Sequence, residues 1–288
     1  MGVQHITVTG ATGAVGGRVA RLLGEEVGRL VVRDAARVPR IDGDPEVRTA
    51  SYADESAMRA ALDGTDVLLL VSGAEAPDRL EQHRTAVRAA AEAGVGHVVY
   101  TSFDGAAADA DFTLGRDHWY TEQAIRSSGM RWTFLRDSFY LDFFPLFADE
   151  HGVIRGPAGD GRVAAVARAD VADVAAAVLR DPGPHEDGTY RLTGPEAISF
   201  PEAADRMARA LGRPYRFEHE TLDDAYASRR MLTGEQWQLD AWVSTYTAIG
   251  SGALAATSGD VERLTGHAPP HAGAGARRRL TASGADRC

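Results

Sequence analysis

Three glycines, at positions 10, 13 and 16 of the run TGATGAVGG (residues 9–17), are the first residues whose type and spacing point to chemistry. Glycine lets a backbone turn tightly and come close to a pyrophosphate, and a helix that starts there adds free N–H groups and a positive dipole end. The spacing alone fits an ordinary tight turn as well. The apolar run before it and the helical spacing of Val15, Val19, Leu22 and Leu23 after it favour a dinucleotide loop. A second pair of residues bears on the choice of cofactor. The next apolar run ends VVRD (31–34), with Arg37 one turn further on. An acid at this strand end binds a ribose 2'-OH and selects NAD, whereas an arginine accommodates the 2'-phosphate of NADP. Arg33 favours NADP (NADPH), and Asp34 keeps NAD open as the less favoured cofactor. The chain contains no lysine; all 31 basic residues are arginine. That excludes a Schiff base and a phosphate-loop lysine.

The elements that must position these residues follow from hydrophobic period. Apolar runs at 3–9, 29–33, 66–72, 97–102 and 131–136, and a weaker one at 46–52, read as strands. Helices are expected at 13–24, 54–62, 78–93 and 115–128. In the helix over 78–93, Leu80, Val87 and Ala91 are expected to face inward. This alternation predicts an α/β fold with a doubly wound, Rossmann-type parallel sheet. After residue 137 the pattern changes. GVIRGPAGDGRVAAVA (152–167) reads as two short strands about an Asp160-Gly161 turn. A helix follows with Val171, Val174, Val178 and Leu179 on one face, then strands at 189–193 and 215–219, a helix at 202–211 and helical segments from 222. The division expected is a cofactor-binding core over 1–137 and a smaller C-terminal α/β substrate lobe over 138–266, interleaved with the core at its strand ends. Residues 267–288, rich in Pro, Gly, Ala and Arg, read as a disordered tail.

Bulk properties narrow the function classes. With 288 residues, of which 44% are hydrophobic, the chain can bury a sizeable core. Its net charge of -10 argues against a nucleic-acid partner, which would need a basic face. No apolar run approaches the roughly 20 residues that span a bilayer, so no membrane role is expected. The first ten residues carry neither a basic leader nor an apolar signal core, and the only cysteine is Cys288. A cytoplasmic protein without disulfide or metal site is expected, with a homodimer as its assembly.

Seven segments, in order, resemble the atypical short-chain dehydrogenase/reductases. They are TGATGAVG (9–16), VVRD (31–34), LLLVSG (68–73), QHRTAVRAAAEAGVGHVVYTS (82–102), WTFLRDSFYLDFF (132–144), GPAGDGRVAAVARADVA (156–172) and YRLTGPEAISF (190–200). The likeness is to the NmrA-like group, in its quinone oxidoreductase and triphenylmethane reductase branch, and covers roughly residues 3–266. It implies that Gly10, Ala11, Thr12, Gly13, Ala14 and Val15 hold the pyrophosphate and that Arg33 meets the 2'-phosphate. Ser72 and Gly73 would line the adenosine side, and Thr101 and Ser102 the ribose–nicotinamide side. Ser138, Phe139 and Tyr140 would close over the nicotinamide. Relatives often carry asparagine where this chain has Asp137, and aspartate near Ser51, so adenine recognition by Ser51 lacks charge assistance.

The better-known short-chain reductases carry a tyrosine, three residues and a lysine in the stretch matching FTLGRDHWYTE (112–122). Here those positions hold Leu114 and His118. Leu114 donates no proton. Ser102 stands at the place of the usual serine, and His118 reads either as a donor or orienting group or as a helix histidine without a role. Tyr140 is the aromatic candidate for catalysis, and Tyr100 reads as core. A ketone yields an alkoxide about as basic as hydroxide (water pKa ~15.7). A quinone yields a phenolate-like anion of pKa about 10. An enzyme without the dyad is therefore directed to quinone-like or conjugated aromatic acceptors, as an NAD(P)H-dependent oxidoreductase. A non-catalytic NADP(H)-sensing regulator and a dedicated reductase in an aromatic natural-product pathway are the alternatives.

Overall fold

The computed structural model describes residues 5–271. In chain order the elements are β1 (Ile6–Thr9), α1 (Ala14–Leu23), β2 (Val27–Val32), β3 (Glu46–Thr49), α2 (Glu55–Leu62), β4 (Val67–Leu70), α3 (Arg79–Glu92), β5 (His97–Phe103), α4 (Thr113–Arg126) and β6 (Arg131–Asp137). There follow β7 (Val153–Gly156), β8 (Arg162–Val163), α5 (Arg168–Arg180), β9 (Gly188–Leu192), β10 (Ile198–Ser199), α6 (Phe200–Leu211), β11 (Arg216–His219), α7 (Leu222–Arg229), α8 (Gln236–Gly250) and α9 (Asp260–Thr265).

Every residue of β1, β4 and β5 is buried, as in strands covered on both faces. The main sheet has seven strands in the order β3-β2-β1-β4-β5-β6-β9, and β1 pairs parallel with β2 and β4. The order reverses between β1 and β4. In doubly wound sheets, ligands bind outside the strand ends at this point. The helices start on side-chain caps where the sequence supplies them: Asp54 accepts from Ala57 N at 2.9 Å, and Ser199 and Glu202 form a capping box on α6. One face of the sheet packs Leu68, Leu70, Val98, Tyr100 and Phe134 against Met58 and Leu62 of α2, Val87 of α3 and Ile125 of α4. In α3, Val87 is buried, but Leu80 and Ala91 are only half-buried; His83, Ala86 and Ala90 share the inward face instead.

The chain divides into two compact units. Of the described residues, the first comprises 5–108, 116–136 and 169–191, and holds the seven-stranded sheet and α5. On α5, Val171, Val174, Val178 and Leu179 are all fully buried. The strand expected at 189–193 is β9, which joins the main sheet beside β6 rather than the smaller lobe. Of the described residues, the second unit comprises 109–115, 137–168 and 192–271. The tail segment 267–288 is described only to His271, whose Nδ1 lies 2.9 Å from Glu196; residues 272–288 are outside the described residues.

In the second unit, β7 and β8 do not form a hairpin about Asp160-Gly161. Instead β7 pairs parallel with β11 and β8 antiparallel with β10. Long-range packing sets two glycines of this segment. A Cβ on Gly156 would lie 2.1 Å from the Tyr246 ring, and one on Gly161 2.2 Å from Ile249 O, both on α8. These glycines let a distant helix approach. Gly156→Ala is expected to lower stability by about 1–3 kcal/mol, the cost of overpacking against a ring that cannot leave. Thermal denaturation checks this; an unchanged midpoint would show that Tyr246 moves aside freely.

Candidate functional site

At the switch point the chain leaves β1 in a turn. Gly10 has φ +64, and a Cβ there would meet the Val71 side chain at 3.0 Å. Gly13 N donates to Gly10 O at 2.9 Å, and a Cβ on Gly16 would lie 2.5 Å from that same oxygen. The turn and the first turn of α1 are therefore fused by close contact. Gly13 stands at the N-cap with no side-chain cap, the first turn holds no acid, and Gly13 and Ala14 are exposed. Ala11 and Val15 are buried beneath them, with Thr12 half-buried. The N–H groups of the first turn of α1, with no acid beside them, fit an anionic pyrophosphate.

Past the end of β2, the Asp34 carboxylate accepts from Ala36 N at 3.0 Å and caps a 3-10 turn. Arg33 is exposed and makes no ion pair among the described residues. Asp34 is occupied by backbone and leaves Arg33 available to an anion.

Side chains take up the backbone beyond β4. Thr9 Oγ1 accepts from Val71 N at 3.0 Å, and Tyr52 OH, itself bonded to Thr9 Oγ1, donates to Val71 O at 2.7 Å. Ser72 N donates to Thr101 Oγ1 at 2.8 Å. Gly73 N donates to His83 Nε2 at 2.8 Å, and Arg79 Nε donates to Gly73 O at 2.9 Å.

Leu114 and His118 lie one turn apart on α4; Leu114 is half-buried and His118 buried. Arg79 Nη2 lies 2.9 Å from His118 Nε2, and Tyr100 OH lies 3.0 Å from His118 Nδ1. Arginine only donates, so Nε2 is the acceptor and the single ring proton sits on Nδ1, directed at the Tyr100 oxygen. Burial first, then the Arg79 charge, hold the His118 pKa well below its usual 6.5. Burial likewise lowers His83 to about 3. Tyr100 is fully buried, and its pKa is pushed above the usual range by burial. Ser102 is fully buried and donates to Glu122 Oε1 at 2.6 Å; Glu122 in turn pairs with both Arg136 Nε at 2.8 Å and Nη2 at 2.6 Å. The protons of His118 and Ser102 thus point into the fold.

The remaining expected residues belong to the second unit. Ser138 N donates to Leu192 O at 3.0 Å, while the buried Ser138 Oγ has no hydrogen-bond partner among the described residues. Phe139 O accepts from Val166 N at 3.0 Å, and the Phe139 ring meets Phe112 edge-on. Tyr140 OH donates to Asp137 Oδ2 at 2.8 Å, and burial together with the Asp137 charge raises its pKa well above 10. Tyr140 therefore keeps its proton.

The family model described as NAD(P)H-binding matches residues 10–182. An NAD(P)H azoreductase of Xenophilus azovorans is 33% identical over 91% of this chain and 93% of its own length. The chain belongs to the NAD(P)H-binding family, in its NmrA-like group. Two further relatives of this NmrA-like oxidoreductase add to the picture. A (4-alkanoyl-5-oxo-2,5-dihydrofuran-3-yl)methyl phosphate reductase of Streptomyces griseus is 37% identical over 91% of this chain and 93% of that protein. The crystal structure of an NADPH-dependent quinone oxidoreductase of Escherichia coli, complexed with NADPH, matches with TM-score 0.84 and 30% identity, over 96% of this chain and 99% of that one.

Sequence reasoning overlooked Arg79, His83, Glu122 and Arg136 of this NmrA-like protein. Arg79 and His83 are one turn apart on the apolar face of α3, beside Ala86 and Ala90, and that placement was the available signal.

Three buried histidines make stability depend on pH. Burial foremost lowers His83 to about 3, His97 to about 4 and His118 further below 6.5. In the unfolded chain each titrates near 6.5. Their stabilisation is complete above that value and is lost as pH falls, because only the unfolded chain takes up the protons. Between pH 6 and 5, denaturant unfolding should show stability falling by about 1.4 kcal/mol per pH unit for each histidine at most. His83→Gln should make the fall shallower. Equal stability at pH 7 and pH 5 would contradict the neutral assignment.

Proposed function

We propose that the chain binds NADPH and reduces quinone-like or conjugated aromatic acceptors. In this reading the loop Gly10, Ala11, Thr12, Gly13, Ala14 and Val15 carries the pyrophosphate, and Arg33 takes the 2'-phosphate. Ser72, Gly73 and Thr101 line the adenosine and ribose. Ser138 and Phe139, which follow β6 directly in the chain, are assigned to the nicotinamide end. When bound, NADPH supplies the hydride. The protein holds it, orients it and keeps water away. A homodimer in the cytoplasm belongs to the same reading.

The observation that carries the choice of acceptor is the closed hydrogen bonding of His118. Its one proton is held against Tyr100, and its bare nitrogen receives Arg79. Ser102 gives its proton to Glu122, and Tyr140 gives its proton to Asp137. No side chain at the dyad positions is poised to protonate an alkoxide. A quinone avoids that need, since its reduced anion resembles a phenolate of pKa about 10. The named relatives support this reading: one is an azoreductase, one a quinone oxidoreductase and one a (4-alkanoyl-5-oxo-2,5-dihydrofuran-3-yl)methyl phosphate reductase.

NADPH oxidation tests the reading with a para-quinone and a simple ketone as acceptors. Turnover is expected with the first and nearly none with the second; ready reduction of the ketone would overturn it. For the cofactor, Arg33→Ala removes a charge-assisted contact of about 1.5–3 kcal/mol. NADPH affinity should fall roughly 10- to 100-fold with NADH nearly unaffected. Equal losses for both would reassign Arg33. Gly13→Val should abolish binding in a folded protein, because its side chain fills the pyrophosphate cradle.

A further inference from the structure

Arg79 and His83 form no hydrogen bond with the glycine loop or Arg33 among the described residues, yet both are buried and both end on the backbone of one residue, Gly73. Gly73 N–H meets His83 Nε2 at 2.8 Å and Gly73 C=O meets Arg79 Nε at 2.9 Å. Each partner is fixed from behind. His83 accepts at Nε2, so its proton is on Nδ1, which lies 2.9 Å from Thr121 Oγ1; Thr121 in turn donates to Asp117 O at 2.7 Å. Arg79 spends its other nitrogens on Asp117 Oδ2 at 3.2 Å and His118 Nε2 at 2.9 Å. The space around Gly73 is filled as well: a Cβ there would come 3.3 Å from His83 Nε2 and 3.8 Å from the Tyr52 ring.

We propose that Arg79 and His83 are positioning residues, a two-sided clamp that sets the two peptide units on either side of the Gly73 Cα and thereby the affinity for NADPH. Beyond β4 the chain has left its ladder, and the peptide units on either side of a glycine there are free to rotate. With the N–H of the unit before Gly73 Cα and the C=O of the unit after it both taken by buried side chains of α3, one orientation is left to each. The entropy of ordering the segment is then met on folding and not on binding. α4 takes part through Asp117, His118 and Thr121, so the helix that lacks the tyrosine–lysine dyad keeps a role in holding the cofactor segment. The clamp rests on the proposed NADPH site for its ligand, but its geometry can be tested without one.

Two readouts separate the clamp from the cofactor reading: hydrogen exchange of the Gly73 amide in the free protein, and titration with NADPH. Glutamine at position 83 can place its side-chain oxygen where Nε2 accepts; leucine cannot. His83→Leu should speed Gly73 exchange at least tenfold and weaken NADPH binding roughly 3- to 10-fold, with the single-turnover rate at saturation changed less than the affinity. His83→Gln should restore both exchange protection and affinity to within about threefold. If His83→Leu does not fold, Thr121→Val removes the acceptor of the Nδ1 proton, and it should shift both readouts in the same direction by a smaller factor. Unchanged Gly73 exchange in folded His83→Leu, or equal behaviour of the leucine and glutamine variants, overturns the clamp. Protected Gly73 in a wild-type protein that binds no NADPH overturns the cofactor reading instead.

Discussion

Arg79 is a charge taken out of water, with its side chain only 5% exposed. A buried guanidinium is tolerated only when its donors are filled, because uncompensated burial costs several kcal/mol. Its donors here reach Gly73 O, Asp117 and His118. This one requirement dictates the state of its neighbours. His118 has to present a bare nitrogen, so it is neutral with its proton on the far side. His83, six ångströms and a half from it ring to ring, stays neutral beside the same charge. A lysine in place of His118 would set two cations against each other in a dry interior.

The acceptor chemistry follows from where protons are kept. A general acid needs a proton it can release toward the reacting oxygen, with a pKa near the working pH. Tyr100 and Tyr140 are pushed above the usual phenol range by burial, and His118 is held far below the imidazole range. Ser102 is committed to the Glu122–Arg136 pair. These groups are arranged for rigidity. What the chain supplies to a reaction is therefore placement, and reaction partners that need only placement are those whose reduced forms are weak bases.

Local pattern made part of this legible. The glycine spacing, the strand and helix periods and the Arg33–Asp34 strand end are properties of a few consecutive residues, and the sheet and the turn after β1 follow them closely. The departure at Leu114 and His118 was legible too, as a pair of residue types. Their surroundings were not. Arg79 and His118 are 39 residues apart, and Ser102 and Glu122 are 20 apart, so each contact exists only once β5, α3 and α4 have packed. The same limit explains the supposed hairpin at Asp160-Gly161. Gly156 and Gly161 answer to Tyr246 and Ile249, far along the chain, and the strands on either side pair elsewhere. β9 looked like a strand of the smaller lobe because it follows a long interruption, and pairing with β6 is invisible to any local window.

During reduction the protein keeps its protons to itself. The single-turnover rate of hydride transfer from saturating NADPH to a para-quinone, followed from pH 6 to pH 9, tests this most directly. A rate nearly constant across that range, and the same in light and heavy water within about twofold, is expected. A rate that falls tenfold per pH unit on either side, with a matching solvent isotope effect, would mean that a protein group delivers a proton in the transition state, contrary to the closed hydrogen bonding of His118, Ser102 and Tyr140.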